Sequence, residues 1–139
     1  MVKPKAAVPE NFIADFFRSR GRAFRYAFQG WWYVIRTQRN AWIHALVSIV
    51  VAGLCVWLQI AAVEWAVIIL AIAMVWTAEF VNTALEAVVD LASPQQHYLA
   101  RVGKDVGAAA VLIAAISSVI IGLVVLGPHL WLKIGSLLR

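Results

Sequence analysis

The sequence has little cysteine and little charge. Cys55 is the only cysteine and lies in an apolar run, which excludes a disulfide framework within the chain and a cysteine metal site. Charged residues make up 14% of the 139 residues, against 63% hydrophobic residues. A soluble domain of this length could not bury so much apolar side chain, so the composition indicates an integral membrane protein. No apolar segment precedes residue 12, and we expect no cleavable signal peptide.

Familiar nucleotide motifs are also missing. There is no GxxxxGK[ST] loop and no protein-kinase signature, so any nucleotide site must be of another kind. Basic residues are concentrated before the first apolar run, at Lys3, Lys5, Arg18, Arg20, Arg22, Arg25, Arg36 and Arg39. Such a cluster suits the anionic cytoplasmic leaflet of a membrane. A nucleic-acid-binding arm is the alternative, but no base-reading module accompanies it, and we expect no nucleic-acid partner.

Hydrophobic patterning predicts an all-α membrane protein with a single domain over residues 12–139, after a loose tail at 1–11. Aromatic and arginine residues alternate over residues 12–36. This pattern is typical of one or two amphipathic helices in the membrane interface, with Gly21 and Gly30 as possible breaks. Three membrane spans follow, at about 42–63, 64–91 and 106–127, the last ended by Gly127–Pro128.

Charge bias predicts the orientation of these spans. The first connection carries no Lys or Arg, whereas the second carries Arg101 and Lys104. The N-terminus and the second connection should therefore be cytoplasmic, in a bacterial-type inner membrane. Span three also has small residues at four-residue spacing (Ala110, Ala114, Ser118, Gly122), which permit close helix contact and favour a homo-oligomer.

A polar stripe interrupts the second span. Glu79, Asn82, Glu86 and Asp90 fall within about 80° of one another on a helix that advances about 100° per residue. A carboxylate at the centre of a membrane helix costs about 2.5–3.5 kcal/mol on insertion scales, so this carboxylate stripe requires a reason. A polar seam between helices would explain Asn82 but explains three acids poorly.

Two kinds of function fit the stripe. Lys104 and the start of span three could bind a phosphorylated ligand while the acids hold Mg²⁺, an arrangement that suits phosphoryl transfer. The alternative is Asp105 as a helix cap and Lys104 reaching to lipid phosphates. An ion-coupled membrane protein would also place acids on one helix face, but it would need polar positions across the whole span. From the residues alone, both a membrane enzyme and an ion-coupled protein remain open.

Two segments, EFVNTALEAVVD and SPQQHYLARVGKDVGAAAVLIAA, strongly resemble the prokaryotic diacylglycerol kinase family over residues 18–127. TQRNAWIHA at 37–45 further resembles the undecaprenol kinase branch. The resemblance implies a surface helix and three transmembrane helices assembled as a homotrimer with active sites between subunits. It implies ATP as co-substrate, Mg²⁺ as cofactor and a lipid alcohol as acceptor. Undecaprenol is the favoured acceptor, diacylglycerol the alternative, and a non-catalytic or ion-coupled membrane protein the alternative of another class.

The resemblance also implies roles for individual residues. Glu79 matches the general base that takes the proton from the lipid hydroxyl, and Glu86 matches a ligand of Mg²⁺. The positions that match nucleotide-binding or supporting residues are Asn82, Asp90, His97, Lys104, Asp105 and, on the surface helix, Tyr26.

Gln38 departs from the family, which commonly has a glutamate there as a second metal ligand. A neutral amide brings no charge, so a metal role for Gln38 would mean weaker Mg²⁺ binding. His44 lies at the start of span one and is interpreted as an interfacial hydrogen-bonding residue.

Overall fold

The computed structural model describes residues 12–93, 95 and 97–138, and the predicted tail at 1–11 lies outside the described residues. This part of the chain contains four helices and no strand: α1 (Phe12–Thr37), α2 (Arg39–Leu58), α3 (Ala62–Ala92) and α4 (Tyr98–Leu137). Helices α2, α3 and α4 are long and apolar enough to cross a membrane. The predicted all-α fold, a surface helix followed by three spans, is confirmed, and the protein is a membrane protein.

Internal contacts divide the chain into Met1–Tyr33 and Val34–Arg139. In the first unit α1 is a single helix, because Gly21 and Gly30, the possible breaks, are both helical. The Phe16 and Phe17 rings pack edge to face with centroids 5.8 Å apart, and the Arg20 guanidinium lies 5.2 Å from the Phe16 ring centroid. The alternating aromatic and basic residues thus form ring and cation–π contacts with neighbours on the same helix.

The turn between α2 and α3 lies earlier than the hydropathy pattern predicts. Helix α2 ends at Leu58 because Gln59 adopts the left-handed conformation, with φ of 54°. The Gln59 N–H donates to the Val56 carbonyl at 3.2 Å, and the Ile60 N–H donates to the Cys55 carbonyl at 3.4 Å. The Glu64 carboxylate accepts a hydrogen bond from the Ala61 N–H at 2.7 Å and so caps the start of α3. Apolar composition continues through this turn, so hydropathy alone does not mark it.

Helix α4 is longer than predicted at both ends. It begins at Tyr98 rather than near residue 106, and it passes through Pro128 to Leu137. At about 60 Å, the 40-residue helix exceeds the ~30 Å hydrocarbon core, so its ends extend beyond it. Past the proline, His129 Nε2 lies 3.4 Å from Glu64 Oε2, and Lys133 Nζ lies 5.9 Å from the Trp57 ring centroid. These contacts hold the last turns of α4 near the α2–α3 turn.

Helices α3 and α4 make the most extensive contact in the bundle. Gly107 and Ala114 are buried, and the Ser118 hydroxyl donates to the Ala71 carbonyl at 2.9 Å. Ala114 and Ser118 of the small-residue face therefore pack within the bundle of one chain, whereas Ala110 is exposed and a Cβ added at Gly122 would meet nothing within 4 Å. The apolar core lies toward the α2–α3 turn, at Cys55, Leu58, Ile60, Ile68 and Leu126. The opposite end of the bundle carries the carboxylate stripe.

Candidate functional site

The carboxylate stripe runs from the buried to the exposed part of α3. The Glu79 side chain is 1% exposed, whereas that of Asp90 is 65% exposed. Between them, the Asn82 side-chain amide donates to Glu86 Oε1 at 3.1 Å. Helical spacing explains this order, because Glu79 and Asp90 are eleven residues, or ~16 Å, apart along the axis. One face of α3 therefore carries carboxylates at three depths.

Gln38 contacts this stripe from the break between α1 and α2. Its backbone is extended, with φ of −99° and ψ of 117°, and it separates α1 from α2. The side-chain amide donates from Nε2 to Glu86 Oε2 at 3.3 Å across 48 residues of sequence. The structure thus brings Gln38 and Glu86 together, as their shared assignment to a metal site requires. Both side chains are partly buried, so water still reaches them.

Glu79 faces His44 across the α2–α3 contact. His44 Nε2 lies 3.8 Å from Glu79 Oε2, beyond hydrogen-bond length. Both atoms are buried, and neither has a hydrogen-bond partner. A buried polar atom without a partner costs stability, so such a pair in the bundle interior indicates a functional site.

Neighbouring side chains hold His44 in place. The Trp76 ring packs edge to face on the imidazole, with centroids 6.3 Å apart. The Trp76 indole N–H donates to the Ser48 hydroxyl at 3.3 Å, and that hydroxyl donates to the His44 backbone carbonyl at 2.6 Å. Sequence reasoning missed this role of His44 and treated it as an interfacial residue. The available signal was its position, since it is the only histidine within the predicted first span.

A polar groove of about 600 Å³ lies at the end of the bundle where α3 and α4 are joined. It is lined by four of the predicted nucleotide residues, Asp90, His97, Lys104 and Asp105, together with Arg101. Lys104 Nζ forms a 2.6 Å ion pair with Asp90 Oδ1, and Arg101 Nε lies 3.7 Å from Asp105 Oδ2. The structure therefore brings these predicted residues to one surface, with two cations beside two carboxylates.

The start of α4 differs from the sequence interpretation. Because α4 begins at Tyr98, Asp105 lies inside the helix and does not cap it. His97 is the N-cap residue instead, and its Nδ1 accepts the Leu99 N–H at 3.2 Å. Lys104 is likewise within the helix and away from its start. An anion beside Lys104 would consequently meet side-chain charges and not the free N–H groups of the helix terminus.

Asn82 is held in place by a close helix approach. A Cβ added at Gly107 would overlap Asn82 Oδ1 and lie 3.1 Å from Leu85 Cδ2. Asn82 Oδ1 is buried without a hydrogen-bond partner, while its amide nitrogen donates to Glu86. Only glycine at 107 leaves room for this side chain, and so α4 fixes the amide that positions Glu86.

An apolar cavity of about 460 Å³ lies between α2, α3 and α4, and it is open at one side, where Ile43 and Leu123 are exposed. It extends from Ile43 and His44 to Gly127 and Leu130. Among the described residues, its polar lining side chains are His44, Ser48 and Ser118. Both serine hydroxyls donate to backbone carbonyls, at His44 and Ala71 respectively. His44 is therefore the one lining side chain that has a buried polar atom without a partner, among the residues that the structure describes.

The cavity and the groove lie on either side of the carboxylate stripe. Along α3, Val75 lines the cavity and Asp90 lines the groove, with Glu79, Asn82 and Glu86 between them. Tyr26 belongs to the first unit; it lies on α1 and is 64% exposed, and its nucleotide role stays a prediction.

The spans, the apolar cavity and the carboxylate stripe are those of a membrane protein that holds a polar site beside an apolar one. A family model described as prokaryotic diacylglycerol kinase matches residues 25–126, and the chain belongs to that family, as its sequence predicted. Lipid kinases are phosphotransferases, and membership in a kinase family implies ATP as co-substrate.

Named relatives carry two different activities. A diacylglycerol kinase from Synechocystis sp. is 44% identical over 109 residues, which is 78% of this chain and 62% of the relative. The undecaprenol kinase of Bacillus subtilis is 38% identical over 122 residues, covering 86% of this chain and 94% of the relative. The diacylglycerol kinase of Escherichia coli K12 is 37% identical over 91 residues, 66% of this chain and 72% of the relative. The chain is thus similar to both kinds of lipid kinase.

Proposed function

We propose that this protein transfers the γ-phosphoryl group of ATP to a lipid alcohol, with undecaprenol as the favoured acceptor and diacylglycerol as the alternative. The observation that carries the proposal is the order of sites along α3. An apolar cavity, a buried carboxylate at Glu79 and a polar groove follow one another over about 15 residues of one helix face. A lipid hydroxyl and a nucleotide phosphate approaching from these two sides would meet at the stripe.

Glu79 is proposed as the general base for deprotonation of the lipid hydroxyl. Its burial keeps bulk water away from the reacting oxygen, and its position next to the apolar cavity suits an alcohol on an apolar chain. The groove residues Lys104, Asp105, His97 and Asp90 are proposed to bind ATP, with Asn82 and Tyr26 in supporting roles. Lys104 supplies positive charge where the phosphates would lie.

The donor set beside Glu86 fits Mg²⁺. The described residues contain no cluster of three or more His, Cys, Asp or Glu side chains that could hold a metal by itself. Mg²⁺ in phosphoryl-transfer enzymes is held by one or two carboxylates plus substrate phosphates, and Glu86 with the Gln38 amide oxygen provides such a set. When bound, the ion would neutralise charge on the transferring phosphoryl group. Gln38 contributes an oxygen without charge, which predicts a high Mg²⁺ requirement.

Assembly and topology complete the proposal. We propose a homotrimer with shared active sites, on the family resemblance, and an inner-membrane location with the N-terminus and the α3–α4 connection in the cytoplasm. The charge bias supports this orientation, because Arg101 and Lys104 lie in the first two turns of α4, next to that connection, and the α2–α3 turn has neither Lys nor Arg.

Purified protein with Mg²⁺–ATP and each lipid alcohol in mixed micelles tests the function. We expect a phosphorylated lipid and ADP in equal amounts, with a higher kcat/KM for undecaprenol. A higher kcat/KM for diacylglycerol would reverse the choice of acceptor. Phosphorylation of neither lipid would contradict the kinase proposal and favour a non-catalytic or ion-coupled protein.

A further inference from the structure

His44 lines the apolar cavity, whereas Glu79 does not. Glu79 is absent from the cavity wall and is 1% exposed, whereas His44 is on the wall and its side chain is 15% exposed. The imidazole thus stands between the cavity and the carboxylate. An alcohol in the cavity would reach the histidine before it reached the glutamate.

The Nε2 atom of the imidazole faces the Glu79 carboxylate. Nε2 is buried and points toward Glu79 Oε2, 3.8 Å away, so the exposed part of the ring is elsewhere. A shift of about 1 Å would bring Nε2 to hydrogen-bond length from the carboxylate. With its proton on Nε2, the neutral ring keeps Nδ1 as an acceptor for a hydroxyl.

Among the residues that the structure describes, no hydrogen-bond partner competes for His44 Nε2. Ser48 and Ser118, the other polar residues on the wall, donate their hydroxyl protons to backbone carbonyls. Trp76 donates to Ser48 and holds the imidazole by ring packing, so it limits rotation of the ring away from Glu79. These contacts keep the histidine oriented between the cavity and the carboxylate.

We propose that His44 is a catalytic residue, which accepts the proton of the lipid hydroxyl and passes a proton on to Glu79; this inference rests on the proposed kinase function. The hydroxyl proton moves to His44 Nδ1 while the hydroxyl oxygen bonds to the γ-phosphorus of ATP. The bond from that phosphorus to its bridging oxygen breaks, and the electron pair leaves with ADP. The Nε2 proton passes to Glu79. After the product departs, Glu79 returns a proton to Nε2 and Nδ1 releases its proton to water, which restores the starting tautomer.

Kinetics of His44 variants test the relay against a matched histidine. His129 also pairs with a glutamate, Glu64 at 3.4 Å, but at the opposite end of the bundle. We expect His44→Gln and His44→Ala to lower kcat on the order of 10²-fold, with KM for ATP unchanged. Imidazole added to His44→Ala should raise its kcat at least tenfold. His129→Gln should retain wild-type kcat. A role in packing alone would not respond to imidazole.

Two results would overturn the relay. One is a His44→Gln variant with wild-type kcat, and the other is a His44→Ala variant that imidazole does not restore. If wild-type protein phosphorylates neither lipid, the kinase proposal fails and the relay fails with it. If the wild type and His44→Gln are both active, only the relay is contradicted and the kinase proposal stands.

Chemical modification of the unaltered protein provides a test that does not depend on folding of the variants. Diethylpyrocarbonate acylates accessible imidazole, and peptide mass spectrometry locates the product. We expect undecaprenol to protect His44 and to leave modification of His129 unchanged. Equal modification of His44 with and without the lipid would contradict its place on the cavity wall at the acceptor hydroxyl.

Discussion

Gln38 and Glu86 are 48 residues apart in sequence, and their side chains lie within hydrogen-bond distance, Nε2 to Oε2, at 3.3 Å. The family commonly has a glutamate where this chain has Gln38, so the contact shows what the exchange does locally. Two carboxylates at this distance would repel each other unless a cation lay between them. The amide instead donates a hydrogen bond to Glu86.

The first prediction follows from that contact. Gln38→Glu should replace the amide hydrogen bond by a second carboxylate, and the Mg²⁺ concentration for half-maximal activity should fall about tenfold or more. The measurement is the initial rate of lipid phosphorylation against free Mg²⁺ at saturating ATP. Gln59→Glu, at the α2–α3 turn, is the matched control and should leave the Mg²⁺ dependence unchanged. An unaltered Mg²⁺ curve for Gln38→Glu would remove Gln38 from the metal site.

The second prediction concerns Lys104. Its 2.6 Å ion pair with Asp90 could serve stability alone, or the lysine could also hold ATP phosphates. Lys104→Met should raise KM for ATP about tenfold or more, because a charge beside the phosphates is lost. Lys133→Met, at the far end of α4, should leave KM unchanged.

Exchanging the two charges separates these roles. The double variant Asp90→Lys, Lys104→Asp keeps an ion pair in the groove but reverses its direction. We expect the double variant to unfold near the wild-type temperature and still to bind ATP poorly. Recovery of wild-type KM for ATP in the double variant would mean that the pair acts only on structure.

The third prediction concerns the approach of α4 to α3. Gly107→Ala should destabilise the bundle by about 1–3 kcal/mol, because the added methyl group would overlap Asn82 Oδ1. It should also lower activity, because Asn82 positions Glu86. Gly122→Ala, where an added Cβ meets nothing within 4 Å, is the control and should be neutral or slightly stabilising. Thermal unfolding in one detergent compares the two, and equal unfolding temperatures would contradict the close contact.

Much of this fold could be predicted from sequence because lipid imposes simple rules. Apolar runs long enough to span a bilayer identified α2, α3 and α4, and the alternation of aromatic and basic residues identified α1. Hydropathy did not predict where the helices end. Gln59 ends α2 through a left-handed backbone conformation, and Pro128 does not end α4, since its missing N–H removes one hydrogen bond of a 40-residue helix. Neither outcome has a hydropathy signal.

The candidate site could likewise be predicted only in part. Helical periodicity placed Glu79, Asn82 and Glu86 on one face without any tertiary information. The contacts that complete the site join residues far apart in the chain, and no local pattern pairs His44 with Glu79 or Gln38 with Glu86. Such pairs depend on how α2 rotates and slides against α3, which packing of side chains decides.

The small-residue face of α4 illustrates an ambiguity that only a structure resolves. Residues at four-residue spacing permit a close approach to any helix. Here Ala114 is buried in the bundle and the Ser118 hydroxyl donates to the Ala71 carbonyl of α3, so this part of the face is used within one chain, whereas Ala110 is exposed. Evidence for a trimer must therefore come from the protein in detergent, for example from its mass by light scattering, where we expect three chains.

The central claim is that Glu79, between the apolar cavity and the polar groove, is the base for phosphorylation of a lipid alcohol. The most direct measurement compares Glu79→Gln with the wild type in undecaprenol phosphorylation at saturating Mg²⁺–ATP. Glu64→Gln, at the other end of α3, is the control. The account predicts that Glu79→Gln lowers kcat by about 10²–10⁴-fold while ATP still binds, and that Glu64→Gln stays close to wild type. A Glu79→Gln protein with wild-type kcat would contradict the account.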